Sequence, residues 1–288
     1  MNDVKAGFVG LGAMGYAMAG HLHRAGVLNA VSNRTAAKAQ AFARDHAGVV
    51  AESPRELAAR CNVIVLCVSA DADVLSVTEE IAASAKPGTV VIDHSTVSSA
   101  TAKKASDALR DAKCEFLDAP VSGGVEGAKN GKLSVMVGGD AETLERVRPI
   151  IDAYAARVSH MGAVGAGQNT KAVNQTLVAG IAQGVCEGLA LGEALGLDAE
   201  TLLPTLMGGA ANCWFLEKRG ATMLKDQFSV GFKLALLHKD LSIVNELAKT
   251  VGTDRSVIEK SLADYAKLME QHHGDEDISA LIRLKRAR

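Results

Sequence analysis

Lys171 and Asn174 lie three residues apart in the run Gly165-Ala-Gly-Gln-Asn-Thr-Lys171-Ala-Val-Asn174. Residues with that spacing share one face of a helix, so a group that can give or take a proton would stand beside an amide able to hold a hydroxyl or a carbonyl. Taken alone, the pair also fits a surface lysine and a solvated asparagine near a helix start. Ser122-Gly123-Gly124 offers a hydroxyl and consecutive backbone N–H groups with no side chain in the way, a nest that suits a carboxylate. It fits an ordinary turn as well.

A third candidate is Gly10-Leu11-Gly12-Ala13-Met14-Gly15, which follows the first strand-like segment and opens a helix. In a dinucleotide site the first glycine makes the tight turn, the second admits the pyrophosphate and the third lets the helix pack closely. The phosphate then sits on the helix N-terminus. About twenty residues on, where a carboxylate would hold the ribose of NAD, the chain has Ser32-Asn33-Arg34-Thr35 and no acid. A guanidinium pairs with a 2′-phosphate, whereas a carboxylate repels it, so NADP(H) is the expected cofactor. The alternative is a strand-to-helix turn with Thr35 as cap and Arg34 in solvent.

These groups need a scaffold, and the pattern supplies one. Short β-branched runs at 6–9, 29–32, 63–67, 89–93, 115–118, 133–137 and 158–160 alternate with helix-period segments at 13–25, 36–46, 54–60, 72–83, 99–111 and 141–153. Such alternation predicts βαβ units and a parallel sheet. Ser53-Pro54, Thr35 and Asp140 are candidate helix starts. After about Gly165 only helical segments follow: 168–195, then 199–206, 215–224, 232–251, 256–272 and 278–286. A helix over 168–195 would be about 40 Å long, enough to span a domain. The expected architecture is α/β: a Rossmann-type parallel-sheet domain at 1–164, then an all-α domain at 165–288 begun by a long inter-domain helix.

Composition narrows the class. The chain has 288 residues, 48% of them apolar and 3% aromatic, with 28 glycines, so its packing relies on small aliphatic side chains and close backbone approach. A net charge of −2 gives no electrostatic case for nucleic acid or an anionic membrane surface. The basic ending Leu284-Lys-Arg-Ala-Arg288 reads as a solvated tail. Cys61, Cys67, Cys114, Cys186 and Cys213 are dispersed among apolar residues and indicate neither a disulfide frame nor a metal site. No signal-like h-region opens the chain, and Gln183, Glu187 and Glu193 interrupt its most apolar stretch. A soluble, cytoplasmic protein is expected.

With these motifs the chain resembles the β-hydroxyacid dehydrogenase family, which includes 3-hydroxyisobutyrate dehydrogenase, tartronate semialdehyde reductase and the glyoxylate/succinic semialdehyde reductases. Four motifs stand in family order over essentially the whole chain: Gly10 to Gly15, Asp118-Ala-Pro-Val-Ser122-Gly123-Gly124, Gly167-Gln-Asn-Thr-Lys171-Ala-Val-Asn174 and Lys239-Asp240-Leu. The resemblance implies that Lys171 is the catalytic acid/base, its pKa drawn toward the working pH, and that Asn174 orients the reacting oxygen and the lysine. It assigns Ser122, Gly123 and Gly124 to the substrate carboxylate. Phe232, Lys239 and Asp240 are assigned to the cleft, with Lys239 near the cofactor and Asp240 supporting the lysines. Thr96, in Asp93-His94-Ser95-Thr96, is expected beside the nicotinamide, and Val68 and Ser69 in the cofactor loop, while His94 is structural.

The implied reaction is NADPH-dependent reduction of a small semialdehyde or 2-oxo acid to its hydroxy acid. Alternatives are an oxidative 3-hydroxyisobutyrate dehydrogenase and a non-catalytic dinucleotide-binding module. The related 6-phosphogluconate dehydrogenase has a longer substrate domain than this chain can supply. Gln175, where relatives often carry a second asparagine, and Val68-Ser69, where many carry a proline, depart from the pattern. Asn212-Cys213-Trp214 is open between the substrate end of the cleft and an interface. Small residues in helices such as 180–184 allow close packing, so a homodimer or homotetramer through the helical domain is expected.

Overall fold

The computed structural model describes residues 4–286, Ala51 without its side chain; the expectations for residues 1–3 and for the basic end at 287–288 lie outside the described residues. Contacts divide the chain into two compact units, up to Lys171 and from Ala172. The first alternates β1 (Ala6–Val9), α1 (Gly15–Arg24), β2 (Leu28–Ser32), α2 (Ala36–Asp45), β3 (Val50–Ala51), α3 (Pro54–Arg60), β4 (Val63–Leu66), α4 (Asp71–Ala82), β5 (Val90–Asp93), α5 (Ser99–Asp111) and β6 (Glu115–Asp118). β7 (Val121–Ser122), α6 (Gly124–Lys129), β8 (Leu133–Gly138), α7 (Ala141–Ile151) and β9 (Ala155–Gly162) complete it.

The sheet runs β3-β2-β1-β4-β5-β6-β8-β7, with β9 paired to β8. Its pairs are parallel from β3 to β6; β8 lies antiparallel to β6 and β7, and parallel to β9. β1, β4 and β5 are buried throughout, as expected where helices cover both faces. Alternation decides which side each residue serves. Phe8, Val65, Ile92 and Leu117 pack with α1, α2 and α7, while Val9, Ile64, Leu66, Val91 and Phe116 pack with α3, α4 and α5. Ser53, Pro54 and Glu56 close α3 with a complete capping box, and Asp140 caps α7. Thr35 occupies the start of α2, but its side chain makes no capping hydrogen bond.

α8 (Ala166–Ala194) is continuous across the division between the units. The second unit continues with α9 (Ala199–Met207), α10 (Trp214–Leu224), α11 (Leu234–Val251), α12 (Ser256–Glu270) and a 3₁₀ stretch at Ile278–Leu284. Ala179, Ala182, Cys186 and Leu189 form the buried stripe of α8, against Phe215, Leu237, Leu241, Tyr265 and Leu281. Two expectations fail here. Phe232 lies before α11 rather than on its face, because Asp277 accepts hydrogen bonds from Gly231 N and Phe232 N at 2.8 and 3.0 Å and holds that backbone outside the helix. The basic end is not a solvated tail where it is described. Lys285 is bonded to Asp264 at 3.0 Å, and Arg286 to Glu193 and Asp226.

Candidate functional site

Chain order reverses between β1, which continues to β2 on one side, and β4 on the other; ligands of such sheets bind at the carboxyl ends of the strands at this switch point. A cleft of about 680 Å³ opens there, lined among others by Gly10, Gly12, Asn33, Arg34, Thr35, Val68 and Ser69. The three glycines differ in the way a dinucleotide cradle requires. At Gly10, with φ +100°, a Cβ would meet the Cys67 carbonyl oxygen at 2.2 Å, and at Gly15 it would meet the Gly10 carbonyl oxygen at 2.0 Å. At Gly12 it would meet nothing within 4 Å among the described residues, so the open space lies in front of the middle glycine. Ala13 is exposed beside it, whereas the Leu11 side chain belongs to the core and Met14 packs against that core.

Asn33 ties the two phosphate-side loops together. Its Oδ1 accepts from Leu11 N at 2.9 Å and its Nδ2 donates to the Thr35 carbonyl at 3.1 Å. Arg34 is 85% exposed and reaches Asp73 Oδ1 at 3.2 Å. No sequence pattern pointed to Asp73, since α4 brings it in from 39 residues away. Two of the other acids that line the cleft are already engaged, Glu52 with Arg60 and Glu56 in its capping box.

The segment after β5 is pinned on both sides of Thr96. Ser95 Oγ accepts from Val68 N at 2.9 Å, and Gln168 donates to the Ser95 carbonyl at 2.8 Å while accepting from Val97 N at 3.2 Å. Thr96 is thereby held half-buried at the sheet edge. Asp93 is fully buried; burial pushes its carboxyl up to about 7 despite the bond from Ser95 N, and its Oδ2 has no hydrogen-bond partner among the described residues. His94 is structural. Its Nδ1 is 2.6 Å from the Ala119 carbonyl, which makes it the donor there, and Nε2 then accepts from the Tyr154 hydroxyl at 2.8 Å. Burial holds its pKa down at about 4.

Asp118, at the end of β6, caps α8: its carboxylate accepts from Gly165 N at 2.7 Å and Gln168 N at 2.9 Å. Gly138 and Gly167 leave room for it, since a Cβ at either would come within 3 Å of its side chain. Burial raises the Asp118 pKa against these bonds. Lys171, one turn along α8, is only 7% exposed, so the surface-lysine alternative is ruled out. Asp118 and Gln168 both stood inside recognised motifs, but only their burial and partners reveal what they hold. Ser122 ends β7, and Gly123 (φ +125°) and Gly124 (φ +60°) turn the chain into α6 with the three residues half-buried.

In the second unit Asn174 Nδ2 donates to Gln175 Oε1 at 2.8 Å, and Gln175 Nε2 donates to Asp240 Oδ2 at 2.6 Å. Lys239 Nζ lies 2.9 Å from Asp240 Oδ1. Asp240 is 4% exposed, so it does not belong to a solvated charged face of α11. Phe232 is fixed separately, through its backbone bond to Asp277. Asn212 and Cys213 line an apolar groove along α8, α9 and the start of α10, beside the exposed Trp214.

Residues 5–162 match the NAD binding domain of 6-phosphogluconate dehydrogenase, and residues 165–285 match a domain described as NAD-binding of NADP-dependent 3-hydroxyisobutyrate dehydrogenase. With the glycine cradle at the sheet's switch point, these matches define a nicotinamide-dinucleotide-dependent oxidoreductase. A probable 3-hydroxyisobutyrate dehydrogenase of Mycobacterium bovis is 34% identical over 289 residues, covering 98% of this chain and 97% of the relative. An NAD-dependent L-serine dehydrogenase of Pseudomonas aeruginosa is 34% identical over 296 residues, with 96% of each chain covered. The solved structure of Mycobacterium tuberculosis 3-hydroxyisobutyrate dehydrogenase with L-serine superposes with a TM-score of 0.88 at 32% identity, covering 99% of both chains. The chain belongs to the β-hydroxyacid dehydrogenase family, and its activity is the NAD(P)-dependent hydroxyacid dehydrogenase chemistry of the 3-hydroxyisobutyrate dehydrogenase type.

Proposed function

We propose that this enzyme uses NADPH to reduce a small semialdehyde or 2-oxo acid to its hydroxy acid, with Lys171 as general acid. The observation that carries this reading is the burial of Lys171 on a helix start that Asp118 and Gln168 bolt to the carboxyl ends of β6 and β5. The bound nicotinamide supplies the hydride. Lys171 gives a proton to the alkoxide oxygen as charge develops there, and takes it back in the oxidative direction. Asn174 orients the reacting oxygen, and Ser122 with the backbone of Gly123 and Gly124 holds the substrate carboxylate. Gly12, Asn33, Arg34 and Thr35 would hold the adenosine and phosphate end of the cofactor, and resemblance to the family assigns Thr96 and Lys239 to its nicotinamide portion. The same resemblance assigns Phe232 and Asp240 to the substrate, with Asp240 supporting Lys239.

NADPH oxidation, with NADH in parallel, is the test against glyoxylate, succinic, methylmalonic and tartronic semialdehydes. Lys171→Ala should abolish turnover and leave NADPH binding intact; full activity in that variant would refute the assignment. Asp73 beside Arg34, together with relatives whose names specify NAD and L-serine, favours a second reading: NAD(P)-dependent oxidation of a 3-hydroxy acid. 3-Hydroxyisobutyrate and L-serine with NAD and NADP belong in the same panel.

A second copy of the chain is the proposed partner. Val173, Leu177, Ile181 and Leu191 on α8, with Leu195 just past its end, are 40–65% exposed, and an apolar groove of about 560 Å³ runs beside Ile181, Leu191 and Leu195. By length and composition the helix could also cross a membrane. Light scattering of the detergent-free protein separates these readings: a dimer or tetramer is expected, and a monomer at micromolar concentration would refute it.

A further inference from the structure

Gln175 is neither a proton donor nor a substrate ligand in the reading above, yet it is 1% exposed and spends both ends of its amide on site residues. An ionised carboxylate can only accept hydrogen bonds. Asp240, 2.6 Å away, therefore forces the Gln175 NH₂ toward itself. Gln175 Oε1 is then the end presented to Asn174, which must offer its own NH₂ at 2.8 Å. One N–H of Asn174 is thereby spent, and its carbonyl oxygen is turned away from Gln175 as an acceptor for a ligand. In water either amide could turn over freely, but flipping a buried amide here would set its oxygen against a carboxylate.

We propose that Gln175 is a positioning residue that relays the charge of Asp240 into the polarity of Asn174, making Asn174 an acceptor toward the reacting group. Resting on the proposed function, this matches Asn174 to the hydroxyl of the hydroxy acid and to the ammonium form of Lys171, one turn earlier on α8. Both are donors, whereas a substrate carbonyl is not. Lys239 takes the other oxygen of Asp240 at 2.9 Å, so the carboxylate is held from both sides by donors. The charged groups around the relay are thus Asp240 and Lys239 on α11, with Lys171 on its own helix.

Gln175→Met keeps the length and removes the relay, while Gln175→Glu keeps it only when protonated. The carboxylic acid that Gln175→Glu introduces donates to Asp240 and accepts from Asn174, as the native amide does, but its ionised form repels Asp240. For Gln175→Met, KM for the hydroxy acid should rise tenfold or more at every pH, with a smaller change for the carbonyl substrate. Gln175→Glu should approach wild-type values at low pH and fall to the Gln175→Met level as that proton is lost. Wild-type kinetics in Gln175→Met, or pH profiles of Gln175→Glu and wild type that run parallel, would overturn the relay. If the wild type turns over none of the candidate substrates, the proposed function fails, and the relay is read instead from the side-chain amide NMR signals of Asn174. Protection from exchange in wild type and its loss in Gln175→Met are expected. The same exchange rate in both would overturn the proposal.

Discussion

Replacing Arg34 by alanine should weaken NADPH and spare NADH, and replacing Asp73 by asparagine should do the reverse for NADPH. Hydrogen bonds to a charged group contribute about 1.5–3 kcal/mol, but Arg34 is 85% exposed, so solvent screening brings the expected loss down to about 1 kcal/mol, or roughly fivefold. Asp73 occupies one side of the guanidinium at 3.2 Å. A 2′-phosphate on the remaining donors would face that carboxylate, and two negative charges against one repel by about 1 kcal/mol in water at separations of several ångströms. Asp73→Asn should therefore tighten NADPH several-fold at low salt, with the gain shrinking toward about 0.5 M salt. NADH, with an uncharged 2′-hydroxyl, should change little. Titration calorimetry of both cofactors on wild type, each single variant and the double variant measures the effects and their coupling. Equal losses of NADPH and NADH in Arg34→Ala would remove the 2′-phosphate assignment. An unchanged NADPH affinity in Asp73→Asn would show that the carboxylate plays no part in selection.

Gly12→Val should abolish dinucleotide binding while leaving the melting temperature within a few degrees, because the space it fills is where the pyrophosphate belongs; unchanged NADPH binding would rule out the cradle. Asp118→Ala removes two charged bonds from the start of α8 and should cost about 2–4 kcal/mol in urea denaturation, with less than about 0.5 kcal/mol contradicting the capping role. Asp93 has a folded pKa raised to about 7 from 3.8, so its contribution to stability is fullest below about pH 4 and declines as pH rises through 7. That shift corresponds to about 4 kcal/mol at most. The stability difference between Asp93→Asn and wild type should thus grow in favour of the variant from pH 5 to 8, and a pH-independent difference would contradict the raised pKa.

The doubly wound half of the fold was legible because its signals are local. Short apolar runs in β1, β4, β5 and β6, the Ser53-Pro54 and Asp140 helix starts, and the spacing of the three glycines are each read within a few residues. β3 and β7, two residues each, and the six-residue α6 carry too few positions to show a period, and pairing across the sheet defines the two strands instead. The segment expected to be a helix from residue 232 loses its first residues to Asp277, whose partners lie some 45 residues away in sequence. The end of the chain read as solvated because charge predicts exposure, until Asp264 and Glu193 supply opposite charges.

By itself the sequence determined the cofactor cradle, the order of elements, the long helix carrying Lys171 and Asn174, and the family to which they belong. Each depends on residue type and spacing along a few turns or one strand. Only the tertiary structure decided that Asp73 faces Arg34, that Asp118 and Gln168 fix the start of α8, and that Gln175 joins Asn174 to Asp240. Each depends on a residue brought in from 39 or more positions away, and burial strengthens the pairings of Asp118, Gln168 and Gln175, while solvent weakens that of Arg34. A carboxylate or an amide has the same chemistry in any sequence, but the groups it faces once water is excluded are set by how the elements pack.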